Sequence, residues 1–382
     1  MPHINGPQDG PVAVTGASGY IGSHVVRCLV RDGYTVHACV RDASRKDKTA
    51  HLLAMGEQGP GTVRIFSADL LKAQQGAYDE AFQNCVAVFH VAADLGSDPN
   101  YGRPTPQRTF DSCMTATQGV LESARQARTV RRVVYTSSTS AVMGLRPGGK
   151  TAEGYEYKDD DWAGEGPYET IEERWTVVSP RSGKVHKLWT LERQAYAMGK
   201  VEAEQYAYRW GAEHGIDVVS CCPCHVLGPL LIKAHDATWQ HRIGLMLQGR
   251  SGHRGRPNML WNIVDVRDVA KAQVLMATSD VAKNGSRYML AAPDSHGELT
   301  VQELLDTLAE IYPNVDIAGD YAPPPTEDQP HGKSAKAIRE LGLRPHTTRQ
   351  TLRDTCESLF AVASVKPALK RAQSPQTEAA KD

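Results

Sequence analysis

Val12-Ala13-Val14-Thr15-Gly16-Ala17-Ser18-Gly19-Tyr20-Ile21-Gly22 is a short apolar run that breaks into three glycines at spacing three. Apolar residues then recur with helical period at Ile21, Val25, Val26, Leu29 and Val30. The stretch reads as strand, tight turn and helix. Gly16 permits the turn, Gly19 lets backbone approach a diphosphate, and Gly22 lets the helix pack closely on the strand. The helix start offers that diphosphate unpaired N–H groups and the positive end of the helix dipole. A glycine triplet alone is weak evidence. Placed after a strand, opening a helix and followed by a second strand, it has the context a dinucleotide site demands. Thr15, Gly16, Ser18, Gly19, Tyr20, Ile21 and Gly22 are the candidate cradle.

Beyond that helix, Tyr34–Val40 alternates as a second strand and ends on Arg41-Asp42. At this tip an acidic side chain takes a free ribose 2′-hydroxyl, whereas an arginine accommodates a 2′-phosphate. Arg41 comes first, and Arg45, Lys46 and Lys48 follow, a basic cluster that favours NADPH. The alternative is a solvated charged loop with Asp42 on the ribose of NADH. Thr62–Phe66 reads as a third strand, and Cys85–Ala93, nearly all apolar, as a fourth buried on both faces. A helix covers about Thr105–Arg128, and a fifth strand, Val130–Tyr135, runs into Thr136-Ser137-Ser138-Thr139-Ser140. This alternation predicts an α/β fold, a Rossmann-type doubly wound parallel sheet with ligands at the carboxyl ends of its strands.

From Leu145 to Lys187 the pattern dissolves into Gly, Pro and charge, including Asp159, Asp160 and Asp161. It reads as a long loop carrying one short helix, pinned to the body by Trp162 and Trp175. Leu188–Glu213 returns to helix and carries Tyr196 and Lys200 four residues apart; Asp217–Cys222 is a sixth strand, broken by Pro223. Farther on come a strand at Trp261–Val264 and helices at Val266–Ala277, Val301–Ile311 and Leu352–Val362. The expected division is a nucleotide lobe over 11–224, joined by the strand near 261–264, and a smaller C-terminal substrate lobe over 225–365. The 145–187 loop lies over the cleft, and the polar tail 366–382 is expected to be disordered.

Composition limits the function classes. At 382 residues, 41% apolar and 23% charged, the chain can bury a sizeable core. A net charge of −1 gives no field for nucleic acid or membrane. The first ten residues lack an apolar leader core and no run approaches a membrane span, so a cytoplasmic protein is expected. The eight cysteines read as small buried hydrophobes rather than a disulfide framework. Cys221 and Cys224 have a C-x-x-C spacing but no second pair, so no metal site is expected.

Five motifs in order say more: Thr15-Gly16-x-x-Gly19-x-x-Gly22, Asp69-Leu70, His90-Val91-Ala92-Ala93, Tyr135-Thr136-Ser137-Ser138 and Tyr196-x-x-x-Lys200. Together with Pro223–Pro229, Asp265–Ala270 and Lys336–Leu343, they resemble the extended short-chain dehydrogenase/reductases. The branch most similar holds dihydroflavonol 4-reductases, cinnamoyl-CoA reductases and 3β-hydroxysteroid dehydrogenases. The resemblance implies Ser138, Tyr196 and Lys200 as the catalytic set, with Ser137 the alternative hydroxyl donor. It also implies cofactor contacts at Arg41, Lys48, Asp69, Leu70, Val91, Ala92, Ala93, Tyr196, Lys200, Pro223 and Val226.

The chemistry explains the residue types. Carbonyl reduction needs hydride at carbon and a proton at oxygen, and a tyrosine of ordinary pKa about 10 is a poor acid–base group near neutrality. A lysine one helical turn away favours the phenolate. Ser138 and Tyr196 lie 58 positions apart, a wider gap than these reductases usually show, and the excess falls in the 145–187 loop. Met143 stands where relatives that bind flavonoids carry a polar residue. Asp94, Thr139, Met143 and His225 are the candidate substrate contacts, His225 having packing as its alternative. The expectation is an NADPH-dependent oxidoreductase, monomer or homodimer, acting on an apolar carbonyl or alcohol. A nucleotide-sugar epimerase or dehydratase and a non-catalytic NADPH-sensing regulator are the rival readings.

Overall fold

The computed structural model describes residues 3–94, 105–143, 156–164, 176–178, 185–187, 192–250, 260–293, 298–317 and 331–370. Strand β1 (Val12–Thr15) enters the glycine turn and α1 (Tyr20–Arg31) follows. Next come β2 (Thr35–Val40), α2 (Lys46–Gln58), β3 (Thr62–Ser67), the short α3 (Asp79–Phe82) and β4 (Ala87–His90). The long α4 (Pro106–Gln126) leads to β5 (Arg132–Thr136). Three short strands, β6 (Glu156–Tyr157), β7 (Thr176–Val178) and β8 (Val185–Lys187), fall in the loop region. Then α5 (Glu192–His214) precedes β9 (Asp217–Pro223) and β10 (His225–Leu227). The rest is α6 (Thr238–Leu247), β11 (Trp261–Asp265), α7 (Val266–Thr278), β12 (Arg287–Leu290), β13 (Glu298–Leu299), α8 (Val301–Ile311), β14 (His331–Gly332), α9 (Ala335–Leu341) and α10 (Thr348–Ala361).

Seven strands form one sheet in the order β12-β9-β5-β4-β1-β2-β3, every described pair parallel. The order reverses beside β1, where the glycine turn sits, and crevices open at such reversals. All four β1 residues are buried because the sheet is covered on both faces. Val12 and Val14 pack with Val25, Val26 and Leu29 of α1 and Val269 of α7. Ala13 packs on the other face with Val120 and Leu121 of α4 and Ala203 and Ala207 of α5. A separate core of Leu227, Ile243, Trp261, Leu304, Leu352 and Leu359 holds the C-terminal region together.

Three expectations need correction. The strand near 261–264 exists but does not join the large sheet: β11 pairs with β10, Val226 opposite Val264, in a small sheet with β13. The place beside β9 belongs to β12, with Arg287 opposite Ser220. The chain leaves β9 at Pro223 and begins β10 two residues later, so β11 takes the nearer free edge. The tail is held at least through 370: Ala368 N–H donates to Leu247 O at 2.8 Å and Lys370 N–H to Asn314 O at 3.0 Å. Residues 371–382 lie outside the described part. In the 145–187 loop the described residues form strands and no helix: β6 pairs with β14, and β7 with β8. Trp162 is pinned as expected, with the Arg287 guanidinium 3.7 Å from its ring centre. Trp175 lies outside the described residues. None of the eight cysteines, all among the described residues, is in a disulfide, and six of them are buried.

The two regions are stitched along α1. Tyr20 donates its phenol to Gly228 O at 2.8 Å, and His24 Nε2 donates to Pro229 O at 2.9 Å. His235 Nε2 donates to Ser18 O at 3.3 Å while its Nδ1 accepts from Leu231 N–H. Ser23 gives its proton to Ala17 O and accepts from His51 Nε2 at 2.8 Å.

Candidate active site

At the nucleotide end, Gly16 has φ of +65°, and a Cβ there would lie 2.9 Å from Ala92 Cα. A Cβ on Gly22 would lie 2.2 Å from Gly16 O. The fold itself demands both glycines. Gly19 is exposed, and its Cβ would meet only Gly16 O, at 3.2 Å. That contact is tight but far milder than those at Gly16 and Gly22, and a diphosphate lying across the helix start would add to the demand for glycine. Gly19 is also the N-cap of α1, and no described side chain caps it. The first-turn N–H groups, those of Tyr20 and Ile21 among them, have no intrahelical acceptor. These residues fit a dinucleotide.

Thr15 ties the turn to the end of β4. Its Oγ1 accepts from the N–H groups of Val91 and Ala92, both at 3.1 Å, which fills both lone pairs. Its proton must therefore go to His90 Nδ1, 2.9 Å away, and His90 is neutral with its own proton on Nε2. Burial, with Lys200 nearby, depresses its pKa to about 3. Ala93, next along, is exposed.

At the tip of β2, Arg41 is exposed, its Nε 4.0 Å from the Asp69 carboxylate. Lys48 is exposed on the first turn of α2. Asp42 is turned into its own loop: one oxygen accepts from Ser44 N–H at 2.9 Å and Ser44 Oγ at 2.6 Å, which lowers its pKa. Asp69 accepts from Leu71 N–H, and Leu70 is buried.

At the other end, β5 and α5 bring the expected acid–base residues together. Lys200 is buried, and its Nζ donates to Thr136 O at 2.9 Å. The same Nζ stands 5.9 Å from the Tyr196 ring centre and 5.5 Å from that of Tyr135. Burial pulls the ammonium's pKa down, but Tyr135, Tyr196, Cys113 and Glu204 outweigh it and leave it above the ordinary lysine value. Tyr196 is half-buried. The two serines differ sharply. Ser137 is buried and donates to Glu204 Oε2 at 2.5 Å. Ser138 is half-buried at the start of a 3-10 turn, where its Oγ accepts from Ser140 N–H.

The candidate substrate residues are dispersed in role. Asp94 is paired with Arg108 of α4 at 3.6 Å. Thr139 donates to Pro223 O at 3.4 Å, tying the Ser138 turn to the end of β9. Met143 packs against Val142, Tyr157, Cys222 and Met289. His225 lies against Trp239, ring centres 4.0 Å apart, with Trp261 at 5.7 Å. Pro223 ends β9, and Val226 is buried in β10. Burial pushes the Cys222 thiol up to about 12. Among the described residues no three potential metal ligands come together, and no helix is long and apolar enough to cross a membrane.

Two residues escaped the sequence reading. Glu204 is fully buried four residues beyond Lys200 and forms an ion pair with Arg287 of β12 at 2.9 Å. The i+4 spacing was the available signal for Glu204; nothing local marked Arg287 as its partner.

The NAD dependent epimerase/dehydratase family matches residues 12–171 and 178–291. The chain belongs to that family. Among curated relatives, a cinnamoyl-CoA reductase of Medicago truncatula is 31% identical over 91% of this chain and 95% of its own length. Cinnamoyl-CoA reductase 1 of Arabidopsis thaliana is 31% identical over 95% and 93%. A bifunctional dihydroflavonol 4-reductase/flavanone 4-reductase of Pyrus communis is 29% identical over 88% and 87%. The yeast methylglyoxal/isovaleraldehyde reductase Gre2, solved with NADPH, shares the fold at a TM-score of 0.73 and 22% identity, covering 93% of this chain and all of that one. The family member is thus an NAD(P)-dependent oxidoreductase of the short-chain dehydrogenase/reductase type, in the branch that its motifs resemble.

Proposed function

We propose that the protein is an NADPH-dependent reductase that interconverts an aldehyde or ketone and its alcohol on a fairly apolar small molecule. The observation that carries this is the buried Lys200 ammonium, held by Thr136 O beside the Tyr196 ring and next to the Ser137–Ser138 strand end. NADPH supplies the hydride when bound. Tyr196 gives its proton to the carbonyl oxygen, and Lys200 stabilises the phenolate left behind. Ser138 donates to the same oxygen and orients it, since Ser137 is already committed to Glu204. Gly16, Gly19 and the α1 N-terminus hold the diphosphate, with Val91, Ala92, Pro223 and Val226 lining the cofactor. Arg41 and Lys48 take the 2′-phosphate. The commitment of Asp42 to Ser44 supports NADPH over NADH, because its carboxylate is turned away from a ribose role.

The test is a panel of carbonyls and alcohols followed at the absorbance of the reduced nicotinamide. Stoichiometric NADPH consumption is expected with at least one apolar carbonyl. Turnover of a nucleotide-sugar without net consumption would instead make it an epimerase, and NADPH binding with no turnover would make it a regulator.

A further inference from the structure

Tyr196, Lys200, Glu204 and Tyr208 recur every four residues on α5 and so share one face. Lys200 is tied to Thr136 O and Glu204 to Ser137 Oγ, successive residues leading to Ser138. Glu204 lies at the centre of a saturated buried network. Its Oε1 accepts from Arg287 Nε at 2.9 Å, from Tyr208 at 2.9 Å and from Ser220 Oγ, and its Oε2 also accepts from Arg287 Nη2 at 3.1 Å. Arg287 reaches further, donating to Ala141 O at 3.0 Å in the Ser138 turn and to Asp159 O and Asp161 O in the 156–164 segment. Trp162 covers its outer face. Every donor of the guanidinium faces either the catalytic strand end, the helix that carries Tyr196, or the added loop.

We propose that the buried Arg287–Glu204 pair is a positioning device for the catalytic centre. It keeps Ser138 in register with Tyr196 and Lys200, anchors the added loop to that register, and cancels charge beneath the phenol. The proposal rests on the reading of Tyr196 as the acid–base residue. A buried ion pair is a weak source of stability compared with apolar packing, but breaking one member exposes the other as an uncompensated charge. Glu204 lies eight residues from Tyr196, about 12 Å along the helix. At that separation and an effective dielectric near 20, one unbalanced charge moves the phenol by about one pH unit.

The groups facing this region are Tyr135 from β5, Ser137 just beyond that strand, His90 from β4 and Cys113 from α4. Ser220, Cys221 and Cys222 face it from β9, Tyr208 from α5, and Asp159 and Asp161 from the loop. Burial pushes Tyr135 and Cys222 up to about 12 and, with Lys200 nearby, His90 down to about 3, so these stay silent between pH 6 and 10.

The test titrates Tyr196 in the full chain by NMR of ring-labelled tyrosine, assigned with Tyr196→Phe, beside the pH profile of turnover. Glu204→Gln leaves a buried cation and should lower the Tyr196 titration by about one unit; Arg287→Met leaves a buried anion and should raise it by a similar amount. The double variant, neutral and able to fold if either single variant is too weak, should return close to wild type. Ser137→Ala cuts the register tie but keeps both charges: turnover should fall about tenfold, with NADPH affinity and the titration unmoved. Shifts of the same sign in the two single variants, a double variant displaced as far as either, or full turnover in Ser137→Ala would overturn the proposal. Full turnover in Tyr196→Phe would instead overturn the functional reading, and the titrations would still report on the pair.

Discussion

Replacing Thr15 by valine removes one oxygen and almost no volume. That oxygen is shared by two N–H donors, Val91 and Ala92, and one acceptor, His90 Nδ1. Each buried polar group left unpaired costs about 1–3 kcal/mol. His90 is buried and cannot recover its partner, while Val91 and Ala92 are half-buried and regain part of theirs from water. The expected loss is therefore about 2–4 kcal/mol rather than the full sum. Thr15→Ser keeps the oxygen and removes a buried methyl, for about 1 kcal/mol. Urea unfolding at pH 7 followed by tryptophan fluorescence measures both. NADPH affinity should fall in Thr15→Val and hold in Thr15→Ser, because Ala92 crosses directly over Gly16. A Thr15→Val loss below about 0.5 kcal/mol, the scatter of neutral substitutions, would refute the assigned hydrogen bonds and the neutral His90 that follows from them.

Tyr196→Phe should fold and bind NADPH while losing about 10²–10⁴-fold in turnover, checked by steady-state kinetics and a binding titration. Arg41→Ala should weaken NADPH by about 1.5–3 kcal/mol and leave NADH nearly unchanged; equal losses would remove the 2′-phosphate from its role. Gly22→Ala should abolish dinucleotide binding, since its Cβ cannot share space with Gly16 O, as a titration with NADPH will show. Stability should fall as the solution is acidified below about 6.5. Burial holds His235 at about 4 in the folded state, so the unfolded chain binds its proton first and gains about 1.4 kcal/mol per pH unit between those values. His235→Gln should remove that share of the slope in urea unfolding at pH 7, 6 and 5, leaving the part due to the other buried histidines, His90 and His24 among them.

The glycine turn, the parallel order of β1 to β5 and the Tyr196–Lys200 face were legible because each leaves a local period or a fixed spacing in the sequence. β12 was not. It is four residues long and opens on Arg287, which reads as surface until Glu204, 83 positions earlier, is placed against it. Charge at a buried position has no local signature when its partner comes from another element. The misplacement of β11 has the same origin: strand identity was local, but the choice of edge depended on where the chain went after Pro223. Ser137 and Ser138 are adjacent and chemically identical in sequence, and the structure separates them by what each hydroxyl touches.

The bonds from Tyr20, His24 and Ser18 to the 228–235 segment run along one side of α1. In mechanical terms they make α1 an axle shared by both regions. A motion that opens the cleft cannot swing the 228–235 segment away from the glycine turn without breaking three polar contacts, two of them to rings buried among other rings. Movement must be borne by parts not fastened to that axle. On the functional reading proposed above, the phosphate end of a bound dinucleotide would stay seated while the substrate end is uncovered, and product release ahead of the cofactor is the expected order.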